Sequence, residues 1–198
     1  MDKKLKIKII IGSTRQNRFG DKPAKWIHEE AKKKDEIEAE LLDLRDWPLP
    51  FYNEPTSPSM VKGGAYPNEI ARKLAAKIEE ADAFIVVTPE YNHSTSGVLK
   101  NALDSVYAEW NRKAVGFVAY GSVGGARAVE HLRGIVVELQ MAPIRSAIHI
   151  PQPWNLLDEN GNLKNGAIDS FKNTADAFLN QLIWWAKALR AAREKDAE

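Results

Sequence analysis

Residues 5–20 read LKIKIIIGSTRQNRFG, an apolar and mostly β-branched run that passes directly into a polar loop. A short run rich in isoleucine favours a β-strand. In the residues that follow, Ala24, Ile27 and Ala31 are spaced three and four positions apart, which is typical of a helix with one buried face. The stretch therefore predicts a strand, a loop and a helix in succession.

The same alternation continues along the chain. Strand-like runs recur at residues 37–44, 83–89, 114–121 and 144–150, with helical periodicity between them and a long final helix predicted over 169–194. Strands that alternate with helices form a parallel sheet through right-handed crossovers, with helices on both faces. The runs FIVV and VGFVA are nearly all apolar, as in central strands, whereas IEAELLDL alternates like an edge strand. We predict a single doubly wound α/β domain over residues 1–198.

Charge and composition limit the class of ligand. Lys plus Arg total 28 against 27 for Asp plus Glu, and a net charge of +1 gives no bulk field that would attract nucleic acid or an anionic membrane. The chain has no cysteine, which excludes disulfides, thiolate metal sites and a cysteine nucleophile. No apolar segment approaches the roughly 20 residues that cross a bilayer. We expect a cytoplasmic protein with a small ligand, and no metal site, because the four histidines lack metal-ligand spacing.

The loop GSTRQNRFG combines three features that bind anions. It offers the hydroxyls of Ser13 and Thr14, the guanidinium groups of Arg15 and Arg18, and free backbone N–H groups at the start of the next helix. It contains neither G-x-G-x-x-G nor G-K-[ST], which disfavours a dinucleotide loop and a nucleotide-hydrolase loop. The composition favours a charged phosphate monoester. The alternative is a capped turn with two solvated arginines.

Two further loops follow strands at the same predicted edge of the sheet, where ligands of doubly wound folds bind. In PEYN, residues 89–92, backbone groups and an aromatic ring suit a flat heterocycle; the alternative is an ordinary turn, with Ser94 or Thr95 capping the next helix. Gly121, Ser122 and the following glycines allow close backbone approach to a ligand, or form a tight turn. In strand order 2-1-3-4-5 the three loops would converge. The irregular, proline-rich stretch 45–67 has the length of a lid or binding loop.

The set GSTRxxRxG, TPEYNHSxxGxLKNALD and YGSxGG resembles the NADPH-dependent FMN reductase family, which includes quinone, azo-dye and chromate reductases. The resemblance runs from the first strand to the fifth in the same order. It implies a flavodoxin-like fold, which is a five-stranded parallel sheet of order 2-1-3-4-5. It further implies FMN as cofactor and NADPH or NADH as co-substrate. It also implies a homodimer or dimer of dimers with the flavin near the subunit boundary, for which LDSVYAEW, residues 103–110, is the candidate interface helix.

The resemblance assigns roles to eleven positions and implies no catalytic side chain, since hydride passes between nicotinamide and flavin. Arg18 is left with two possible roles: it holds the phosphate together with Arg15, or it faces the incoming nicotinamide. The Gly-Ser loop would stabilise the negative charge of the reduced ring. The phosphate is assigned to Ser13, Thr14, Arg15, Asn17 and Arg18, the isoalloxazine to Pro89, Glu90, Tyr91 and Asn92, and its pyrimidine end to Gly121 and Ser122.

The resulting hypothesis is an FMN-dependent NAD(P)H oxidoreductase that reduces a small acceptor by a ping-pong scheme. The acceptor is a flavin, quinone, azo compound or metal oxyanion. One alternative is a flavodoxin-like FMN electron carrier without its own NAD(P)H oxidation, although such carriers typically have acidic chains and phosphate loops without arginine. Another is a scaffold that binds no flavin, because a fold does not fix a function.

Overall fold

Five parallel strands form one sheet in the computed structural model of the chain, which describes residues 3–196. They are β1 (Leu5–Ile11), β2 (Ile37–Asp43), β3 (Ala83–Pro89), β4 (Ala114–Gly121) and β5 (Ala142–Pro151). Their order is β2-β1-β3-β4-β5, which confirms the predicted topology. All of β3 and nearly all of β4 are buried, whereas β2 is half-buried at the edge, as the apolar patterns indicated.

Helices cover both faces of the sheet. They are α1 (Asp21–Lys32), α2 (Glu69–Glu79), α3 (Gly97–Ser105), α4 (Ala126–Glu138) and α5 (Lys172–Asp196). The apolar stripes of α1 and α5 pack on one face, and those of α2, α3 and α4 on the other. Among the residues described, no helix is both long enough and apolar enough to cross a membrane.

The strand order places a switch point between β1 and β3. From β1 the chain crosses over to β2 on one side, and it later returns to β3 on the other side of β1. The helices that follow β1 and β3 therefore pack on opposite faces of the sheet. A crevice opens between the carboxyl ends of these two strands. The loops after β1 and β3 flank that crevice.

The predicted interface helix over 103–110 is wrong as a continuous helix. α3 ends at Ser105, the backbone of Val106 is extended, and Ala108–Trp110 form a separate 3-10 turn. The reason is packing, because the Trp110 ring is buried in the core with its centroid 4.9 Å from that of Phe84.

Other boundaries also differ from prediction: β2 ends at Asp43, one residue early, and β5 extends beyond 144–150 at both ends. The helix expected from residue 169 begins as a 3-10 turn, Asp169–Phe171, before α5. The N-cap of α3 is Ser96, not Ser94 or Thr95, and its hydroxyl accepts the N–H of Leu99 at 3.2 Å while donating to the Gly12 carbonyl. Ser96 therefore joins the start of α3 to the end of β1.

The proline-rich stretch 45–67 is largely irregular, as predicted, and is attached to α3. The Asn101 side chain accepts the N–H of Tyr52 at 2.9 Å and donates to the Pro50 carbonyl at 2.9 Å. The ring of Phe51 stays 85% exposed. The backbone on both sides of Phe51 is therefore held against α3, while the Phe51 ring projects into solvent.

Candidate active site

A cavity of about 370 Å³ lies at the carboxyl edge of the sheet. It is lined by all three loops that the sequence indicated, and by a fourth segment that follows β5. The convergence predicted from strand order 2-1-3-4-5 is confirmed. The lining residues are Arg15, Asn17, Arg18, Phe19, Pro89, Glu90, Tyr91, Tyr120, Gly121, Ser122, Pro153, Trp154 and Leu157.

Eight of the eleven residues assigned from the sequence line this cavity, and Ser13, Thr14 and Asn92 do not. Ser13 is buried, and its hydroxyl hydrogen-bonds to the hydroxyl of Tyr91 at 2.8 Å. Thr14 and Asn92 are exposed. Ser13 therefore joins the first loop to the second, while the other two present their side chains to solvent.

Arg18 is engaged within the protein. It is 4% exposed, its Nη1 donates to Asp43 Oδ1 at 2.7 Å, and its Nε donates to Asp21 Oδ1 at 2.7 Å. The guanidinium also donates to the Ser13 carbonyl. Burial alone would lower the pKa of Arg18, but the hydrogen bonds and charges of Asp43 and Asp21 raise it above its usual value. This side chain connects the loop to the end of β2 and to the start of α1.

Arg15, three residues earlier, is placed differently. It is exposed at the cavity, and its guanidinium makes no salt bridge with any residue in 3–196. Its backbone is nevertheless fixed, because the N–H donates to Ser13 Oγ at 3.4 Å and the carbonyl accepts from Arg45 Nη2 at 2.5 Å. The loop therefore holds a free positive charge at the mouth of the cavity.

Glu90 fixes the second loop against α4. Its carboxylate accepts the backbone N–H of Arg127 at 3.1 Å and Arg127 Nε at 2.6 Å, at the amino end of that helix. Burial raises the pKa of Glu90, but the hydrogen bonds from Arg127 outweigh it and hold the pKa below its usual value. The carboxylate is thus an ionised cap for α4.

The rest of the PEYN loop is a tight turn. Tyr91 and Ser94 exchange two backbone hydrogen bonds, of 2.8 and 3.0 Å, around Asn92 and His93. Those two residues have φ angles of 46° and 72°, the left-handed pair of a type I′ turn. The turn interpretation is therefore correct for the backbone, and it presents Tyr91 both to the cavity and to Ser13.

The glycine loop is likewise a turn that brings backbone close to the cavity. Gly125 has φ of 72°, and a Cβ there would lie 2.6 Å from that of Ala119. A Cβ on Gly121 would lie 3.0 Å from the Cβ of Glu90. Position 125 therefore requires glycine, because a side chain would overlap β4, whereas one at 121 would crowd Glu90. Ser122 is exposed at the cavity.

Tyr120 is a wall residue that the sequence prediction missed. Its ring packs against Phe19 with centroids 5.2 Å apart, and its buried hydroxyl has no hydrogen-bond partner among the described residues. Burial, and then the neighbouring Tyr91, raise the pKa of this hydroxyl. An unpartnered buried donor is costly unless a ligand or water satisfies it.

Five lining residues were not predicted. Tyr120 and the segment after β5 follow the same carboxyl-end rule that selected the three loops, so applying the rule to β5 would have found that segment. Phe19 gave a weaker signal, as an apolar residue at the end of a polar loop. The five are Phe19, Tyr120, Pro153, Trp154 and Leu157. Within residues 3–196, no group of three or more His, Asp or Glu is arranged to hold a metal ion.

Comparison with known proteins gives consistent matches. A family model described as NADPH-dependent FMN reductase matches residues 5–155. An NAD(P)H-dependent FMN reductase of Schizosaccharomyces pombe is 38% identical over 150 residues, which cover 74% of each protein. A 2-hydroxy-1,4-benzoquinone reductase of a Burkholderia species is 28% identical over 194 residues, covering 94% of this chain and 98% of that protein.

Solved structures share the fold. A flavoenzyme NAD(P)H:(acceptor) oxidoreductase from Paracoccus denitrificans superposes with a TM-score of 0.69 at 24% sequence identity. The superposition covers 90% of this chain and 97% of that one. The likeness extends over nearly the whole chain.

Proposed function

This chain belongs to the NADPH-dependent FMN reductase family, and we propose that it reduces a small acceptor by a ping-pong scheme in which the oxidised nicotinamide leaves before the acceptor enters. The resemblance inferred from the three motifs is correct. The protein is an oxidoreductase that uses NAD(P)H and FMN. The acceptor belongs to the flavins, quinones, azo compounds or metal oxyanions.

One observation carries the assignment of FMN to the cavity: the free guanidinium of Arg15 at its mouth. A phosphate monoester there would gain charge-assisted hydrogen bonds without displacing a partner within residues 3–196. Two further features fit the rest of the cofactor. The buried Tyr120 hydroxyl lacks a partner among the described residues, and Gly121 lines the cavity without a side chain.

Thr14, Arg15 and Asn17, with the backbone N–H groups of their loop, are proposed as the phosphate-binding residues. Their side chains are exposed, so they can reach an anion that arrives from solvent. We assign Ser13 and Arg18 to positioning instead. A phosphate that bound Arg18 would have to replace the carboxylates of two aspartates and would leave them partly buried without their cation.

Residues of the other two loops are proposed to orient the flat ring. Pro89 and Tyr91 would lie along it, held by the ionised Glu90, and Gly121 and Ser122 would offer donors to its electron-rich end. Asn92, which is exposed outside the cavity lining, would act only through the turn that places Tyr91. When bound, FMN supplies the hydride chemistry, so the side chains need only bind, orient and exclude water. No acid or base among them is required.

Oligomerisation and location remain predictions. The resemblance predicts a homodimer or dimer of dimers, and the composition predicts a cytoplasmic location. Sedimentation of the FMN-loaded protein would measure its mass directly, and a monomer at micromolar concentration would contradict the prediction of a dimer.

The decisive experiment is anaerobic mixing of the FMN-loaded protein with NADPH, and separately with NADH, in a stopped-flow spectrometer. We expect the flavin absorbance to bleach within seconds and to return when a quinone is added. A flavin that does not bleach with either nicotinamide would favour the electron carrier, and a protein that retains no FMN would exclude both. Parallel double-reciprocal plots against both substrates support the ping-pong scheme, and intersecting plots contradict it.

A further inference from the structure

Trp154 is a large apolar side chain on the rim of the cavity. It is 58% exposed and lines the cavity together with Pro153 and Leu157. Another exposed tryptophan, Trp184, lies on α5 with its ring centroid 5.3 Å from that of Trp185 and does not line this cavity. Trp154 is therefore an exposed indole at the candidate site itself.

The segment that carries Trp154 is held by backbone hydrogen bonds. The N–H of Gln152 donates to the Gly121 carbonyl at 2.9 Å, which attaches the segment to the glycine loop, and Pro153 is buried. Further along, Leu157 and Leu163 form an antiparallel bridge, and the N–H of Lys164 donates to the Leu156 carbonyl at 2.9 Å. The indole therefore projects from a loop whose backbone is held by hydrogen bonds.

The cavity has two chemically different ends. Arg15 and Asn17 line it at the carboxyl end of β1, whereas Trp154 and Leu157 line it beyond β5. Because β3 and β4 lie between, the strands that lead to these two ends are three spacings apart in the sheet, roughly 14 Å. The polar end suits a phosphate, and the apolar end suits a flat, uncharged ring that enters from solvent.

We propose that Trp154 is a specificity-determining residue that stacks on the planar ring of the acceptor and selects quinones over compact anions that have no planar ring. Tryptophan offers a wide, rigid face at low conformational cost, and stacked aromatic pairs gain more than their buried area alone provides. The inference rests on the proposed function, because it gives the acceptor subsite of the same cavity. Leu157 completes this wall and lies beyond residue 155, where the match to the family model ends.

The test begins with binding, in the oxidised FMN-loaded protein without any nicotinamide. Menadione, a planar naphthoquinone, is titrated by equilibrium dialysis against wild type, Trp154→Ala, Trp154→Phe and the control Trp184→Ala. We expect the dissociation constant for menadione to rise about tenfold in Trp154→Ala and about twofold in Trp154→Phe. It should be unchanged in Trp184→Ala, and the affinity for FMN should be unchanged in all four proteins.

Steady-state turnover with NADPH then compares menadione with ferricyanide, a compact anion without a planar ring. In Trp154→Ala the KM for menadione should rise about tenfold while kcat, and both constants for ferricyanide, stay the same. Equal losses with both acceptors, a weakened affinity for FMN, or unchanged binding of menadione would each overturn the proposal. The dialysis result does not depend on flavin reduction, so it stands even if the proposed NAD(P)H oxidation fails.

Discussion

Asp82 and Lys113, two charged side chains at the amino edge of the sheet, have partners, whereas the exposed Arg15 at the carboxyl edge has none among the described residues. Asp82 pairs with Arg193 at 3.1 Å, and the buried Lys113 donates to the carbonyls of Ile78 and Glu79 at 2.9 and 3.0 Å. At the carboxyl edge Arg18 is equally engaged, but Arg15 makes no salt bridge with any described residue.

The contrast teaches how to recognise a binding residue in this molecule. A buried charge with partners contributes to the structure, because breaking the pair leaves the other charge without compensation. An exposed charge beside a cavity can bind a ligand at no such cost. The two arginines of one loop therefore have different expected effects, and variants of each can test the distinction.

The largest expected effect is on stability and comes from Arg18→Met. Removing the guanidinium leaves Asp43 and Asp21 without their cation, and we expect the free energy of unfolding to fall by about 2 to 3 kcal/mol. The loss is smaller than for a fully buried pair because the Asp43 side chain is 25% exposed. Urea unfolding measures it, and Arg15→Met, at an exposed arginine of the same loop that makes no salt bridge within residues 3–196, serves as the control.

Asp43→Asn tests whether Arg18 positions the loop or binds the phosphate, because the two roles predict opposite changes in the affinity for FMN. If Arg18 only positions the loop, weakening its contact with Asp43 lowers the affinity for FMN. If Arg18 binds the phosphate, removing a competing carboxylate raises that affinity. Fluorescence titration of the apoprotein with FMN distinguishes the two outcomes, and tighter binding would refute the positioning role.

Arg15→Ala should have the next largest effect, on binding alone. Losing a charge-assisted hydrogen bond to the phosphate is expected to weaken FMN binding by about 1.5 to 3 kcal/mol. The free energy of unfolding of the apoprotein should change by less than about 0.5 kcal/mol, because the side chain is exposed. Riboflavin, which lacks the phosphate, is the matched ligand control. An equal loss of affinity for riboflavin and FMN would show that Arg15 does not contact the phosphate.

The smallest expected effect is a change of stability with pH, and it comes from the buried Lys113 at the amino edge of the sheet. Burial lowers the pKa of the Lys113 amine to about 8, so above that pH the unfolded chain binds the extra proton and stability rises with pH. We expect the free energy of unfolding to increase by about 1 kcal/mol between pH 8 and pH 9. Lys113→Met should abolish that increase, and the exposed Lys73→Met should retain it. If the free energy of unfolding still increases between pH 8 and pH 9 in Lys113→Met, another titrating group causes the increase. The charged groups that act on Lys113 are Glu79, Arg193, Asp82 and Glu109.

Most of the fold could be predicted because its signal is local. β1, β3 and β4 have the predicted bounds, and the apolar spacing of Ala24, Ile27 and Ala31 marks the buried face of α1. Prediction failed where a distant partner decides the local structure. Burial of Trp110 against Phe84 interrupts the helix expected over 103–110, and no pattern within that stretch reports the position of β3.

The candidate site also has a part that local sequence predicted and a part that it did not. The three loops were predictable from residue type and from their place after strands, and eight of the eleven assigned residues line the cavity. Tyr120 and Trp154 were missed because only the glycine and serine of YGSxGG were assigned to the site and the rule for strand ends was not applied to β5. These residues meet the other loops only because β4 and β5 are neighbours in the sheet.

By itself the sequence determined the sheet, its order by resemblance, and a polar loop shaped for a phosphate. The reason is that periodicity, turn residues and motifs are properties of neighbouring residues. Only the tertiary structure decided that Arg18 is engaged and Arg15 is free. Asp43 lies 25 residues beyond Arg18, and it comes within 2.7 Å only when β2 pairs with β1. Whether a charge is available to a ligand is a property of the folded chain, because it depends on which opposite charges folding brings beside it.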